Sequence, residues 1–487
     1  MTSAASIAPP AATGTSLSER RRVVVATTVG TAIEWYDYFL YAATAGLVFR
    51  QMMFAGLGPN ASSLVAYLSV GLSFLFRPLG AFLAGHLGDR YGRRFVLLIT
   101  LFGMGSATTL IGVLPTYQTI GVWSPILLFA LRIIQGISAG GEWGGAVLMA
   151  VEHAPAHQRG LFGAGPQMGV PAGLLLSSAA LTIMSVIAPG DAFLQWGWRV
   201  PFLASFLLVV VAYIIRVGVD ESPVFAEIQQ RAEQEEKKSP IVTLFRFFLP
   251  TVVVAALVFA GNGTVGYMTT GGYIQKYATD PDGPIGLSRQ EVLSAVTVSA
   301  VVWMVATAAA GWASDKMGRR ATYILGFLLQ GLGVVALFPL VNTGSVHMLG
   351  LALACLAIGL GFTYGQQSAM YTELFPASIR ATGVSVTYAI GSILGGAFAP
   401  MIADWLFQTT GTTVSITTYL LVMTLVGLLC VLLLRDRTRI PLGPDHEHEQ
   451  RRSPLRIGGR RSQEDADASP GSYTVAPSST PAATPES

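Results

Sequence analysis

Charge is scarce in this chain. Only 12% of its 487 residues are Asp, Glu, Lys or Arg, 52% are hydrophobic, and the mean hydropathy is +0.55. Soluble domains carry about 25% charged residues, so a water-facing surface over most of this chain is excluded. Cysteine is nearly missing too: Cys355 and Cys430 are the two. Both fall in apolar segments, which excludes a disulfide framework and a thiolate metal site. There is no Gly-x-x-x-x-Gly-Lys loop, so ATP is not the fuel. Histidine is sparse, and His86, His153, His157, His446 and His448 lie in loops or the tail. A membrane-embedded enzyme would need a nucleophile–base set or metal ligands, and the apolar segments offer neither; no cofactor is expected. Heptads are absent, which excludes a coiled-coil tail. The apolar run after Arg20-Arg21-Arg22 is too long for a signal peptide and reads as an internal first helix.

Long apolar runs dominate. Twelve qualify as membrane helices, at 24–48, 62–84, 95–115, 124–150, 160–187, 200–217, 248–274, 288–312, 321–341, 347–371, 382–406 and 416–434. The fold class is an all-α integral membrane protein built of two six-helix bundles, 23–217 and 248–434. A charged cytoplasmic linker, 218–247, joins them, with 226–238 as a short surface helix. Residues 1–22 and 435–487 read as disordered cytoplasmic tails, the latter rich in Pro, Ser, Gly and Thr. With the N-terminus inside, Lys and Arg fall on the cytoplasmic side except for Arg50, Arg77, Arg132, Arg199, Lys276 and Arg289. That asymmetry places both termini in the cytoplasm. The net charge of +3 therefore reports orientation in a bilayer and no affinity for nucleic acid.

Two motifs recur. Gly85-His86-Leu87-Gly88-Asp89-Arg90-Tyr91-Gly92-Arg93-Arg94 returns, degraded, as Gly311-Trp312-Ala313-Ser314-Asp315-Lys316-Met317-Gly318-Arg319-Arg320. Glu152-x-x-Pro155-x-x-x-Arg159 returns as Glu373-x-x-Pro376-x-x-x-Arg380. The same order in both halves marks a duplicated membrane domain with a site between the copies. Gly85 and Gly88 allow close helix approach, and Gly92 allows a tight turn. Arg90 and Arg93 hold the loop at the inner surface. Asp89 is placed to accept hydrogen bonds from a neighbouring helix N-terminus or from Arg159. Asp315, Arg319 and Arg380 are the corresponding gating residues of the second half.

This pattern resembles the major facilitator superfamily over 23–434. Glu34-Trp35-Tyr36-Asp37, Phe76-Arg77-Pro78-Leu79-Gly80, Gly140-Gly141-Glu142-Trp143-Gly144-Gly145, Gly197-Trp198-Arg199-Val200-Pro201-Phe202 and Glu221-Ser222-Pro223 resemble, more narrowly, its metabolite:proton symporter family. That family includes shikimate, α-ketoglutarate, citrate and proline/betaine carriers, and the N-terminal half looks most like the shikimate type. The resemblance implies that the Asp89 network closes the cytoplasmic side in the outward-open state. It also implies alternating access, with proton-coupled uptake of a small organic metabolite.

Ionisable residues inside membrane helices need a partner, a cavity or a function. Glu34, Asp37 and Tyr41 share one face of helix one. Arg132, Gln135 and Glu142 form a polar stripe on helix four. Depth counting brings Arg132 near Asp37, and the two are paired, with Glu34, Asp37, Arg132 and Glu142 as the proton-coupling set. A fixed network that locks helices one and four is the alternative. Arg77 reads as a packing tether and Arg199 as an interfacial charge. The second half offers neutral groups: Asn262, Tyr267, Tyr364, Gln367 and Tyr388 join Arg132, Gln135 and Tyr41 as substrate contacts. The expectation is a monomeric proton symporter of the cell membrane for a small carboxylate such as shikimate or a keto or dicarboxylic acid. Proton-coupled efflux and zwitterion symport remain alternatives. Against efflux, Gly165-Pro166-x-x-Gly169 ends in Val170 where drug antiporters of this fold carry a second glycine.

Overall fold

The computed structural model describes residues 17–91, 93–140, 142–217, 240–270, 272–281 and 283–456, and the side chains of these except 17–23, 84–86, 88–97, 142, 212 and 215–217. Helices α1 (Leu17–Thr44), α2 (Pro59–Tyr91), α3 (Arg93–Val113), α4 (Trp123–Glu152), α5 (Arg159–Ile187) and α6 (Arg199–Val217) form the first half. Helices α7 (Leu249–Thr279), α8 (Arg289–Met317), α9 (Arg319–Val341), α10 (Val346–Leu374), α11 (Ala377–Thr410) and α12 (Thr413–Leu433) form the second. Ten of these helices are long and apolar enough to cross a membrane by length and composition; α1 and the shorter apolar run in α3 complete the twelve.

Local chemistry sets the ends. Ser288 and Glu291 form a reciprocal capping box at the start of α8. Gly318, at φ 91°, separates α8 from α9, a backbone angle that suits glycine. The first helix of each helix triplet is irregular. A π-helical turn, Ala45–Phe49, extends α1. Gly140 turns extended within α4, Gly272 at φ 93° interrupts α7, and α10 breaks at Gly365 and Gln366. Such breaks release backbone groups from the helical ladder at the depth where membrane transporters build sites.

The halves meet along two seams, α5 against α8 and α2 against α11. Glycine in α5 lets it lie against α1: a Cβ on Gly169 would come within 2.6 Å of the Thr28 carbonyl oxygen. The Gly165–Gly169 spacing thus serves helix contact. The surface is inverted relative to a soluble protein. Phe82, Leu207, Ile214, Leu332 and Val414 are exposed, while Glu34, Asp37, Arg77 and Arg132 are buried. Lipid accepts the first group, and only protein partners can satisfy the second.

Three boundary readings change. Helix α1 begins at Leu17, inside the tail expected to be disordered. A short helix, Pro240–Phe247, occupies the end of the linker and buries Leu244. The rest of that linker, with the surface helix expected at 226–238, lies outside the described residues. The C-terminal tail is not disordered from 435 onward: residues 435–456 fold back on the bundle. Leu434 and Leu455 form an antiparallel bridge, and Arg437 donates to the carbonyls of Leu374, Gln450 and Arg452. Burial, with Arg435 adding to it, pushes the Arg437 guanidinium down to about 10. Composition concealed this strap, because its hold comes from single side chains on helix-end carbonyls rather than from an apolar period.

Candidate functional site between the halves

Helix α1 carries two acids one turn apart, and they meet different partners. Glu34 pairs with Arg77 of α2 at 3.2 Å. Asp37 accepts hydrogen bonds from the Thr108 hydroxyl of α3 at 2.8 Å and the Ser205 hydroxyl of α6 at 3.0 Å. The expected direct Asp37–Arg132 pair is absent. Arg132 donates through Nε to the Ser69 carbonyl, through one terminal nitrogen to Gln135 Oε1, and through the other to the Val70 carbonyl and the Ser73 hydroxyl, at 2.7 to 3.0 Å. The Tyr41 ring covers its guanidinium at 3.9 Å, and the Tyr41 hydroxyl donates to Ser69. Backbone carbonyls are the reason: depth counting locates a residue along the helix axis but is blind to the Ser69 and Val70 carbonyls of α2, which take the fork in place of a carboxylate.

Asp37 and Arg132 are still connected. The Gln135 amide nitrogen donates to Thr108 at 2.7 Å, and its oxygen accepts from Arg132 at 2.9 Å. The chain Arg132–Gln135–Thr108–Asp37 is therefore continuous and buried. Thr108 and Ser205 had no motif to flag them; one hydroxyl in an apolar helix is common, and its direction is set only by packing.

Facing this polar set is an aromatic cluster from both halves. Tyr267 of α7 stacks on Trp35 at 5.8 Å and 13°, and lies 5.5 Å from Tyr38 and 5.3 Å from Phe74. Arg77 lies over Phe74 at 4.6 Å and Trp35 at 5.7 Å. Phe259 joins Tyr267, Tyr364 and Tyr388 within 6.5 Å. Tyr388 stacks on Trp143, whose indole donates to Gln167 at 3.2 Å. The Gln367 side chain is buried and neither its oxygen nor its nitrogen has a hydrogen-bond partner. Asn262 is committed within the second half: its amide donates to Thr363, which donates in turn to Gln330 at 3.2 Å. The Glu142 side chain lies outside the described residues.

The motif residues of the second half gather at the end that carries the strap, residues 435–456, which is the terminal-bearing end. Asp315 accepts from the backbone nitrogens of Gly160 and Leu161, at 2.8 and 2.9 Å, at the N-terminus of α5. Both the exposed helix donors and the dipole favour the carboxylate there. Arg319 bonds Asp315 at 2.8 Å and grips both oxygens of Glu373 at 3.1 and 3.2 Å. Arg159 approaches Glu373 at 3.8 Å, and Arg380 meets Glu152 at 3.3 Å. These contacts tie the two halves together. The strap joins them: the Ile440 carbonyl accepts from Arg159 and the Gln450 oxygen from Arg380. The first copy is not comparable, since Gly92 and the side chains of Asp89, Arg90 and Arg93 lie outside the described residues, as do the surroundings of Gly85.

The opposite end is closed as well. Arg50 meets Asp280 at 3.3 Å, Lys276 bonds Ser63 and pairs with Asp404, and Tyr67 donates to the Gly272 carbonyl. A Cβ on Gly272 would stand 2.1 Å from the Ala42 carbonyl oxygen, so only glycine permits this approach of α7 to α1.

Known proteins share this arrangement. The family profile described as Major Facilitator Superfamily matches residues 27–393 and 283–464. The shikimate transporter of Escherichia coli (strain K12) is 37% identical over 427 residues, covering 87% of this chain and 96% of that protein. The inner membrane metabolite transport protein YhjE of the same organism is 38% identical over 397 residues, covering 80% and 89%. Among solved structures, the proton:xylose symporter XylE bound to 6-bromo-6-deoxy-D-glucose superposes with a TM-score of 0.68 at 19% identity, over 89% of this chain and 98% of that one. The helices of the two halves, the duplicated motif, the buried polar set between them and these matches lead to one statement: the chain is a multi-pass membrane protein of the Major Facilitator Superfamily, a transporter and not an enzyme.

Proposed function

We propose that this transporter takes up a small organic carboxylate together with protons, by alternating access, as a monomer in the cell membrane with both termini in the cytoplasm. The observation that carries it is Asp37: a buried carboxylate on α1 whose hydrogen-bond partners are the hydroxyls of Thr108 and Ser205. A hydroxyl donates or accepts, so these partners serve the acid both ionised and protonated. That is what a group loading and unloading a proton in each cycle requires. Glu34, next to it, is neutralised by Arg77, which offers a second loading point. Protons are the coupling ion, and no organic cofactor or metal enters the scheme.

The gate follows from the same geometry. Asp315, Glu373, Arg319, Arg159, Glu152 and Arg380 hold the terminal-bearing end shut, and Lys276, Asp404, Arg50 and Asp280 hold the other. Transport opens one set at a time. The excess of Lys and Arg at the terminal-bearing end supports the cytoplasmic assignment of that end. The kinship to a shikimate transporter supports a hydroxylated ring acid as the first substrate to try. The test is uptake by proteoliposomes under an imposed pH gradient, inside alkaline, with shikimate, α-ketoglutarate, citrate, benzoate and glycine betaine. Gradient-dependent accumulation of at least one acid is expected. Accumulation driven by the opposite gradient would replace uptake by efflux.

A further inference from the structure

Arg77 and Arg132 are both buried arginines, yet they are held in opposite ways. Arg132 has five N–H donors. Four are spent on the Ser69 and Val70 carbonyls, the Ser73 hydroxyl and Gln135, and Tyr41 covers the ring face. It clamps α4 to α2 and has little left for a ligand. Arg77 has its carboxylate partner at 3.2 Å through one terminal nitrogen, and its buried Nε has no hydrogen-bond partner. Two more buried donors beside it are also unpartnered: the Tyr38 hydroxyl and the Trp35 indole nitrogen. The Trp35 and Tyr38 rings are 5.2 Å apart, Arg77 lies over Trp35, and Tyr267 of the other half packs on both rings. Buried donors left without acceptors are costly, and a native fold keeps them where something else supplies the acceptor.

Resting on the reading as a proton-coupled carboxylate carrier, we infer that Arg77, and not Arg132, anchors the substrate carboxylate, with Tyr38 and Trp35 as flanking donors and Glu34 as the counter-ion the substrate displaces. The chemistry of the pocket selects an anion. Its free groups are donors, and a carboxylate offers only acceptors. The aromatic faces of Trp35 and Phe74, which would otherwise suit a quaternary ammonium, are already taken by the Arg77 guanidinium. The flat walls of Trp35, Tyr38 and Tyr267 suit a compact ring or planar carbon skeleton behind the carboxylate.

This assignment makes coupling a matter of charge balance. Two carboxylates cannot share one guanidinium in a water-poor site without mutual repulsion. A proton entering from outside therefore adds to a Glu34 oxygen, and the substrate anion replaces Glu34 at Arg77. The site sums to zero charge before and after. On the cytoplasmic side the anion leaves, Glu34 gives up the proton, and the Glu34–Arg77 pair closes again. Because Tyr267 belongs to α7, the occupied site draws the two halves together.

The test uses the full chain in proteoliposomes, with shikimate and benzoate as carboxylate probes and glycine betaine as the zwitterion probe. Half-saturation is measured by counterflow at about pH 5.5 and about pH 8. Arg77→Lys, which keeps charge but loses the planar fork, is expected to weaken the transported acid by ~30-fold or more, and Arg132→Lys by less than ~3-fold. Wild type is expected to hold the acid roughly 10-fold more tightly at the lower pH, while Glu34→Gln shows the tight value at both. Tyr38→Phe, which preserves packing, is expected to weaken it about 5-fold and keeps the test open should Arg77 variants misfold. Unchanged affinity in Arg77→Lys, or a surviving pH dependence in Glu34→Gln, overturns the anchor while leaving carboxylate symport standing. Wild-type uptake of none of the acids, or of glycine betaine alone, overturns the carboxylate reading itself and the anchor with it.

Discussion

Trp143 of α4 and Tyr388 of α11 lie face to face across the two halves, 3.7 Å between ring centroids and 11° between ring planes. Both are buried, and the Trp143 indole is anchored to Gln167 of α5, whose amide donates to the Tyr364 carbonyl of α10 at 3.3 Å. One stacked pair thus links four helices between the central aromatic cluster and the ion pairs around Glu373 and Arg380. A stacked aromatic pair contributes about 0.5–1.5 kcal/mol beyond its buried area, enough to bias an equilibrium between open and closed forms by up to roughly tenfold. Trp143→Ala is expected to raise the labelling rate of a cysteine placed at Ser385, which packs against Gly144 beside the stack. Trp143→Phe should restore most of the protection. Equal labelling in all three proteins would remove the stack from the gate.

Glu373 sits between Arg319 and Arg159, with relative side-chain exposure of 1%. Removing one partner of a buried ion pair costs about 3–5 kcal/mol because the other charge is left uncompensated. Glu373→Gln should therefore open the terminal-bearing end, slow turnover by ~10-fold or more, and change half-saturation little. A large rise in half-saturation with unchanged turnover would put Glu373 in the binding path.

Asp37→Asn keeps the shape of the carboxyl and its contacts to Thr108 and Ser205 but cannot carry a proton. Accumulation should fall to what the pH gradient drives through Glu34 alone and lose its response to membrane potential, while substrate exchange at equal concentrations persists. Thr108→Val breaks the link from Asp37 to Gln135 and is expected to cost part of the pH response, with the protein still correctly folded. If Asp37→Asn accumulates substrate as wild type does, the proton is carried elsewhere.

The number of protons is readable electrically. If Glu34 alone loads, a monocarboxylate enters with one proton and no net charge, and uptake follows the pH gradient but not the membrane potential. If Asp37 loads as well, one positive charge crosses, and each 100 mV adds about 2.3 kcal/mol. Valinomycin-imposed potentials at equal pH on both sides distinguish the two; response to potential is expected, because both acids sit on the same buried face.

Gln450 is 1% exposed, accepts from Arg380 and the Ala377 nitrogen, and donates to the Pro441 and Gly443 carbonyls. Gln450→Ala leaves Arg380 with Glu152 and one carbonyl. The expected result is faster opening at the terminal-bearing end, seen as increased labelling of a cysteine at Ser378, and a Tm lower by a few degrees. Unchanged labelling would make the strap a bystander to gating.

The membrane class, the number and approximate limits of the helices and the duplicated motifs are written in the linear order of the chain. Apolar runs and the glycine–acid–arginine motifs are local patterns, and a bilayer forces each run to satisfy its own backbone, so length and hydropathy settle the helices without reference to their neighbours. Partnership was not settled that way. Glu34 and Asp37 are one turn apart on one helix face, yet Arg77 of α2 meets the first and Thr108 and Ser205 of α3 and α6 meet the second. Arg132, a promising anion binder by type, is consumed by carbonyls of α2. The strap at 435–456, polar and aperiodic, is held by Arg437 and Gln450 finding helix ends. Side chains in the interior choose partners by direction and by competition among donors and acceptors several helices apart in sequence. Those choices exist only once the helices are packed.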